Sequence, residues 1–168
     1  MLDASGRAEK WRLHDTAGSP IHRRLNNARA SIPVDPEYTA ALGLAVYAFA
    51  LLEWNAVWCC EKLKPGSIDD LDDRTAGRVA DTLLSLVKHL PGSSDRSDLL
   101  AQATKFQALT RTRNNLLHAR PGTSSDGNHR LFRDGDQWTL DEIEAVADAF
   151  CDCGMRLDAH LHGFLDRS

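Results

Sequence analysis

The segment from Pro36 to Leu63, PEYTAALGLAVYAFALLEWNAVWCCEKL, decides the fold class of this protein. Its apolar residues recur at alternating steps of three and four positions: Leu42, Ala45, Phe49, Leu52, Ala56, Cys59 and Leu63. This period predicts an amphipathic helix with one face in a hydrophobic core. Asp35 is a good N-cap residue, Pro36 is tolerated in a first helical turn, and Pro65-Gly66 predicts the end of the helix.

Three further segments have the same helical period. We predict helices over these ranges: residues 75–90, from a cap at Ser94 or Ser97 to about 119, and from a cap at Thr139 to about 165. Thr139 and Glu142 form a capping-box pattern at the start of the last one. Residues 122–138 predict a loop with one hairpin that turns on Asp134-Gly135. The sequence therefore predicts an all-α fold, an antiparallel bundle of four to five helices.

Size and composition are those of one globular domain. The chain has 168 residues, of which 42% are hydrophobic and 26% are charged. Residues 1–33 are polar and contain the basic cluster HRRLNNAR at positions 22–29. We predict a polar, basic N-terminal arm over residues 1–33, partly ordered, and a single helical-bundle domain over residues 34–168.

The sequence predicts a cytoplasmic protein without a membrane segment. The first residues contain no apolar stretch typical of a signal peptide. The longest apolar run, Ala40 to Leu52, is too short to span a bilayer. A cytoplasmic location predicts reduced cysteines.

The four cysteines, Cys59, Cys60, Cys151 and Cys153, have the wrong spacing for a zinc site on helices. We interpret them as small buried hydrophobes and predict no metal and no cofactor. A zinc site that adds His160 and His162 is the least favoured alternative.

Positive charge is concentrated in one segment of an acidic protein. The formal net charge is -4, whereas residues 96–133 contain seven basic and two acidic residues, a balance of +5. This balance fits either an anion site or a solvated helix face beside a basic loop. Within the segment, Arg111, Arg120 and Arg130 are candidate contacts to RNA.

The same segment contains the motif Arg113-Asn114-x-x-x-His118. With fifteen arginines and seven histidines, Arg-x4-His would occur roughly 0.6 times by chance, and asparagine after the arginine lowers that number to roughly 0.02. Histidine titrates near neutral pH and can move a proton, and arginine stabilises phosphate charge. Asn114, one turn before His118, is placed to orient the imidazole or the phosphate. These residue types suit RNA cleavage without a metal.

A single histidine serves poorly as both acid and base, so we predict a two-fold dimer that brings two motifs together. The motif near the end of the third predicted helix resembles that of the HEPN superfamily. The resemblance implies that Arg113, Asn114 and His118 are catalytic residues at a dimer interface. It also implies a metal-independent RNase that leaves 2′,3′-cyclic phosphates, acts as a toxin or in phage defence, and has a separately encoded antitoxin. Some members of the superfamily have lost catalysis.

Glu53 interrupts the apolar run of the first helix, and Arg113 is its predicted partner. An orienting role in the site and a structural ion pair are both open for Glu53. We predict that Trp54, Trp58 and Trp138 are core or interface residues. The leading hypothesis is a dimeric endoribonuclease; the competing one is a non-catalytic HEPN-like module that binds a partner protein or a nucleotide.

Overall fold

The structure, a computed structural model, describes residues 35 to 166, and the predicted arm over residues 1–33 lies outside that range. The described chain is mostly helical and carries one small sheet. Its elements in chain order are α1 (Pro36–Leu63), α2 (Ser67–Leu71), α3 (Ala76–Lys88), α4 (Ser94–Leu117), β1 (Arg120–Thr123), β2 (His129–Arg133), β3 (Asp136–Gln137) and α5 (Leu140–His162).

Helix α1 begins as the sequence predicts. The Asp35 carboxylate accepts hydrogen bonds from the main-chain N–H groups of Glu37 at 3.0 Å and Tyr38 at 3.2 Å. These are donors that have no partner inside the first turn of a helix. Pro36 occupies that first turn, where its missing N–H costs nothing.

The core lies between α1 and the other long helices, and the most extensive packing joins α1 to α5. Phe49 of α1 is at its centre. The Phe49 ring lies 6.2 Å from that of Phe106 on α4 and 5.0 Å from that of Phe150 on α5, the latter edge to face. Such tilted aromatic pairs add to the hydrophobic stabilisation of burial.

The helix caps confirm one prediction and correct another. Thr139 and Glu142 form the predicted capping box at the start of α5, with reciprocal main-chain bonds of 2.8 and 3.2 Å. The cap of α4 is Ser93, whose hydroxyl accepts from the Arg96 N–H at 3.0 Å, and not Ser94 or Ser97. Adjacent serines are equivalent in a sequence pattern, so the pattern alone does not select one.

The prediction of one hairpin and otherwise no strand was partly wrong, because the sheet has three antiparallel strands in the order β1-β2-β3. The hairpin between β2 and β3 turns on Asp134 and Gly135, as predicted, with φ of 55° and 98°. A two-residue hairpin turn requires this positive φ at both positions. Strand β1, which contains Pro121 and Gly122, carries no strand signal in the sequence and pairs with β2.

The Tyr38 side chain attaches the sheet to α1. Its hydroxyl donates to the carbonyl of Trp138 at 3.0 Å and accepts from the N–H of Leu131 at 3.1 Å. Tyr38 is buried, so both contacts form away from water. The hairpin is therefore held at a fixed position against the first turn of α1.

Among residues 35–166, α1 alone is long and apolar enough to cross a membrane, with a mean hydropathy of 1.5 over 18 residues. The sequence prediction considered only the run from Ala40 to Leu52, whereas the helix is 28 residues long. A helix at the centre of a protein core passes the same test, and Ala45, Leu52 and Ala56 are fully buried in the core. The finding is weak evidence for a membrane span.

Candidate functional site

His118 is the residue at which α4 ends. Its main-chain N–H donates to the carbonyl of Asn114 at 3.0 Å, the last bond of the helix. Its own carbonyl accepts a bond of 3.3 Å from Nη1 of Arg133 on the hairpin. The His118 side chain is exposed. The end of the helix and the hairpin are thus joined beside the imidazole.

His118 lines an open cavity of about 410 Å³ between α4 and the hairpin, which we call the hairpin groove. The other lining residues are Arg120, Phe132, Arg133, Asp134 and Gly135. Arg133 forms an ion pair of 3.3 Å with Asp134. Two arginines and a histidine against one carboxylate make the groove suited to an anionic ligand.

Phe132 adds an aromatic surface to the hairpin groove. A side chain at Gly122 on the neighbouring strand would approach the Phe132 ring to 3.0 Å, so the ring packs directly over this glycine. The absence of a Cβ at position 122 allows that close contact. An aromatic ring beside cationic side chains is a combination that binds single-stranded nucleic acid.

Arg113 lines a different cavity from His118. This cavity, the Arg113 groove, measures about 100 Å³ and lies between α1 and α4. The Arg113 guanidinium lies 5.4 Å from the centre of the Phe49 ring and donates to Oδ1 of Asn114 at 3.0 Å. The structure thus brings Arg113 and Asn114 together and places Arg113 and His118 in different grooves.

Glu53 lies in the Arg113 groove. Burial raises the pKa of the Glu53 carboxyl above its ordinary value, and the nearby charge of Arg113 partly opposes that rise. The ion pairs within 4.0 Å that the described residues form do not include Glu53 with Arg113. The two side chains are neighbours whose charges interact at longer range, so the predicted partnership is looser than a direct ion pair.

Arg130, a predicted RNA contact, holds the fold together. Its guanidinium forms an ion pair of 2.9 Å with Asp35 and lies 4.7 Å from the centre of the Tyr38 ring. Side-chain exposure is 13% for Arg130, so most of this side chain is covered by the fold. The other two predicted contacts, Arg111 and Arg120, are exposed, and their side chains form no hydrogen bond or ion pair with residues 35–166.

Three of the four cysteines are buried, as the interpretation as small hydrophobes requires. The prediction was wrong for Cys151, which is exposed on α5. Burial raises the pKa of the Cys59 and Cys60 thiols to about 12 and that of Cys153 to about 11, which keeps these three protonated at neutral pH. In the part of the chain that the structure describes, no three His, Cys, Asp or Glu side chains are grouped to hold a metal ion.

The sequence interpretation missed two residues of the hairpin groove, Phe132 and Arg133. The Asp134-Gly135 turn was the available signal, because it fixes which residues flank the bend. The position of β2 beside the end of α4 depends on the contacts of Leu131 with Tyr38 and of Arg130 with Asp35, and both Tyr38 and Asp35 are distant in the sequence from His118.

Comparisons with known proteins identify no relative: no family model, no curated protein and no solved structure matches this chain.

Proposed function

We propose that this protein is a metal-independent endoribonuclease with a HEPN-like antiparallel bundle of four to five helices. The observation that carries the proposal is the hairpin groove, in which His118 lies with two arginines and an aromatic ring. His118 can transfer a proton, Arg120 and Arg133 can bind phosphate, and the Phe132 ring can stack on a base. These are the parts that RNA cleavage without a metal requires.

The reaction is an in-line displacement at phosphorus. The 2′-oxygen attacks the phosphorus atom as its proton passes to a base, the bond from phosphorus to the 5′-oxygen breaks, and that oxygen takes a proton from an acid. The products are a 2′,3′-cyclic phosphate and a 5′-hydroxyl. His118 serves as base or acid, and arginine side chains stabilise the negative charge that builds on the phosphate oxygens.

One chain supplies one His118 and holds Arg113 in the neighbouring groove. A homodimer with a composite site would supply the second histidine and a second set of arginines. Asn114 would hold the Arg113 guanidinium in place through the bond of 3.0 Å. Arg111 and Arg120, both exposed, are the arginines we assign to guiding RNA to the site.

The biological setting that we propose is cytoplasmic, with no membrane and no cofactor. The enzyme would act as a toxin or in defence against phage, and an antitoxin, where present, would be encoded separately. RNA is the substrate, and the chain is a homodimer.

The second candidate function is a non-catalytic HEPN-like module that binds a partner protein or a nucleotide. The placement of Arg113 and His118 in different grooves favours it, because a single chain then lacks the combined site. A module of this kind would bind an anion in the hairpin groove without cutting RNA.

Cleavage of total RNA and tRNA by the purified protein with EDTA present tests the proposal. We expect the wild type to cut and to leave cyclic-phosphate ends, and the His118→Ala variant to be inactive. Equal cutting by both proteins would identify a contaminant or another site. Binding of RNA without cutting by the wild type would establish the non-catalytic module.

A further inference from the structure

Helix α1 has a second apolar face that the described chain leaves uncovered. Eight large hydrophobic side chains within residues 35–166 are exposed, with fractions of 38 to 66%. Six of them belong to α1: Leu44, Val46, Tyr47, Leu51, Trp54 and Trp58. The other two are Leu117 at the end of α4 and Met155 on α5.

Five of these side chains follow a helical stripe. Leu44, Tyr47, Leu51, Trp54 and Trp58 are spaced by three, four, three and four residues, so they share one side of α1. The rings of Trp54 and Trp58 pack edge to face with their centres 6.1 Å apart. We call this stripe, with Val46, Leu117 and Met155, the apolar face.

The neighbouring helices extend the apolar face on both sides. Val46 and Leu117 line the Arg113 groove together. Leu51 and Met155 line another cavity, of about 280 Å³, between α1 and α5. The apolar face therefore reaches α4 on one side of α1 and α5 on the other.

The apolar face is large for the surface of a single protein. Its three aromatic side chains, which would bury about 150–250 Å² each if fully covered, expose roughly 220–370 Å² together at the observed fractions, and the five aliphatic side chains add to that area. The largest apolar patch on a typical monomer is about 300–600 Å². A stable complex buries about 800 Å² on each partner.

Charge selects the kind of partner. From Tyr38 to Cys60, Glu53 is the single charged residue of α1. In a two-fold interface residue i of one copy contacts residue j of the other, so each charge on the surface needs an opposite charge elsewhere on the same surface; an uncharged apolar face needs no such pairing. Val46 and Leu117 of the apolar face line the groove that also holds Arg113, so a copy that binds here covers the motif arginine that the proposed composite site uses.

We infer that the apolar face binds the same face of a second copy of this chain. The choice of a second copy rests on the proposed function, whereas the location rests on the exposure of these side chains. Tyr47 and Leu51 lie in the middle of the stripe and are 64% and 50% exposed, so substitutions there leave the core intact.

The test is the oligomeric state of the full chain, measured by sedimentation velocity without RNA from about 1 to 100 µM, a range that covers common affinities. We expect the wild type to have twice the monomer mass of 18.6 kDa. The Tyr47→Lys/Leu51→Lys variant should bind its own copy at least about 100-fold more weakly. The Ala101→Lys/Ala108→Lys variant, which adds the same charges at exposed positions of α4, should stay dimeric.

Circular dichroism and thermal unfolding establish that each variant is folded, and Tyr47→Ala/Leu51→Ala replaces the lysine variant if that one aggregates. A wild type that is monomeric throughout, or lysine and alanine variants that stay dimeric, would overturn the inference. A monomeric wild type that sediments with phosphatidylglycerol vesicles would assign the face to lipid and overturn it as well. RNA cleavage is scored separately: a dimer that cuts no RNA contradicts the nuclease alone, and a monomer that cuts RNA contradicts the second copy alone.

Discussion

Nη1 of Arg133 donates a hydrogen bond of 3.3 Å to the main-chain carbonyl of His118. The bond joins the hairpin to the carboxyl end of α4, where helix carbonyls lack partners within the helix and carry partial negative charge. The Arg133 guanidinium supplies a hydrogen-bond donor to the His118 carbonyl and lies beside the His118 imidazole. The two residues form one wall of the hairpin groove, and the proposed chemistry depends on that wall.

Replacing His118 by alanine should abolish RNA cleavage and leave the fold intact. General acid–base catalysis contributes about 100- to 10,000-fold, so we expect a loss of at least about 100-fold in the cleavage rate. The side chain is exposed, and the substitution keeps the carbonyl that Arg133 binds. The measurement is the initial rate on a tRNA substrate, with thermal unfolding recorded for the same samples.

His129→Ala is the matched control, since His129 is also exposed and lies on β2, outside the lining of the hairpin groove. It should cut RNA at the wild-type rate. An equal loss of cleavage rate in both variants would show that the effect is not specific to His118. Equal cleavage by both variants and the wild type would show that His118 takes no part in the reaction.

Removing Arg120 should weaken RNA binding in a salt-dependent way. The side chain lines the hairpin groove, is exposed and binds nothing else among the described residues, so its charge is available to a phosphate. Loss of one phosphate contact on a single strand lowers the slope of log affinity against log salt by roughly 0.7. Fluorescence anisotropy of a labelled RNA at several salt concentrations measures the slope, with the His118→Ala background preventing cleavage.

Arg78→Ala serves as the comparison for Arg120→Ala. Arg78 is exposed on α3 and lines a cavity that shares no residue with the hairpin groove. Its removal should leave the slope unchanged. Equal changes in both variants would indicate binding by overall charge, and no change in either would contradict RNA binding in the groove.

Substituting Tyr38 by phenylalanine should destabilise the protein and detach the hairpin. The Leu131 N–H and the Trp138 carbonyl would both lose the buried partner that the Tyr38 hydroxyl supplies. Leaving such groups unpaired costs about 1–3 kcal/mol in the free energy of unfolding. Urea unfolding measures the loss, and hydrogen exchange at residues 129–137 reports the hairpin.

Tyr47→Phe is the control for the hydroxyl alone. Tyr47 is 64% exposed, and its hydroxyl forms no hydrogen bond within the described chain. Its free energy of unfolding should match that of the wild type. A Tyr38→Phe protein as stable as this control would mean that the two bonds contribute nothing to the position of the sheet.

The helices were predictable because their signals are local. The stripe from Leu42 to Leu63, the Asp35 cap and the Thr139 capping box each involve residues within a few turns of one another. Strand β1 was not predictable, since Pro121 and Gly122 disfavour a strand and the pairing partner supplies the stability. The sequence predicted Trp54 to be a core or an interface residue, and its exposure could not be predicted because the helical period does not distinguish between the two.

The sequence predicted which residues the candidate site contains, and it did not predict how their side chains are arranged. The motif located the end of α4, and the Asp134-Gly135 turn located the hairpin. The division of Arg113 and His118 between two grooves follows from their places on the helix and from the packing of Phe49. The role of Arg130 depends on Asp35, 95 positions away in the sequence, and no local pattern reports such a contact.

Replacing Glu53 by glutamine should stabilise the protein at neutral pH and have little effect in acid. Burial raises the pKa of Glu53 in the folded state above the ordinary value of 4.5, so the folded protein keeps the proton to a higher pH than the unfolded chain does. Stability is then lost as the pH rises from about 4.5 through the folded pKa. Glutamine cannot ionise, so the gain of the variant should appear above pH 4.5 and vanish below it.

Glu61→Gln is a control of opposite sign on the same helix. The Glu61 carboxylate accepts bonds of 3.0 Å from the N–H groups of Gly66 and Ile68, which lower its pKa. Its charged form stabilises the fold above pH 4.5, and that contribution is lost as the pH falls through the folded pKa. The Glu61→Gln variant should therefore be less stable than the wild type at pH 7 and approach it in acid.

Urea unfolding of the wild type, Glu53→Gln and Glu61→Gln between pH 3.5 and 7 measures how each substitution changes the free energy of unfolding. Repeating the Glu53→Gln substitution in an Arg113→Ala background tests whether the two charges interact. Arg113 lowers the pKa of Glu53, so without this arginine the folded pKa rises further and the gain from glutamine at pH 7 grows. A gain that is the same with and without Arg113 would show that the two charges do not interact. A Glu53→Gln protein that is less stable at pH 7 would show that the carboxylate is held by a partner in the folded protein, as the predicted structural ion pair requires.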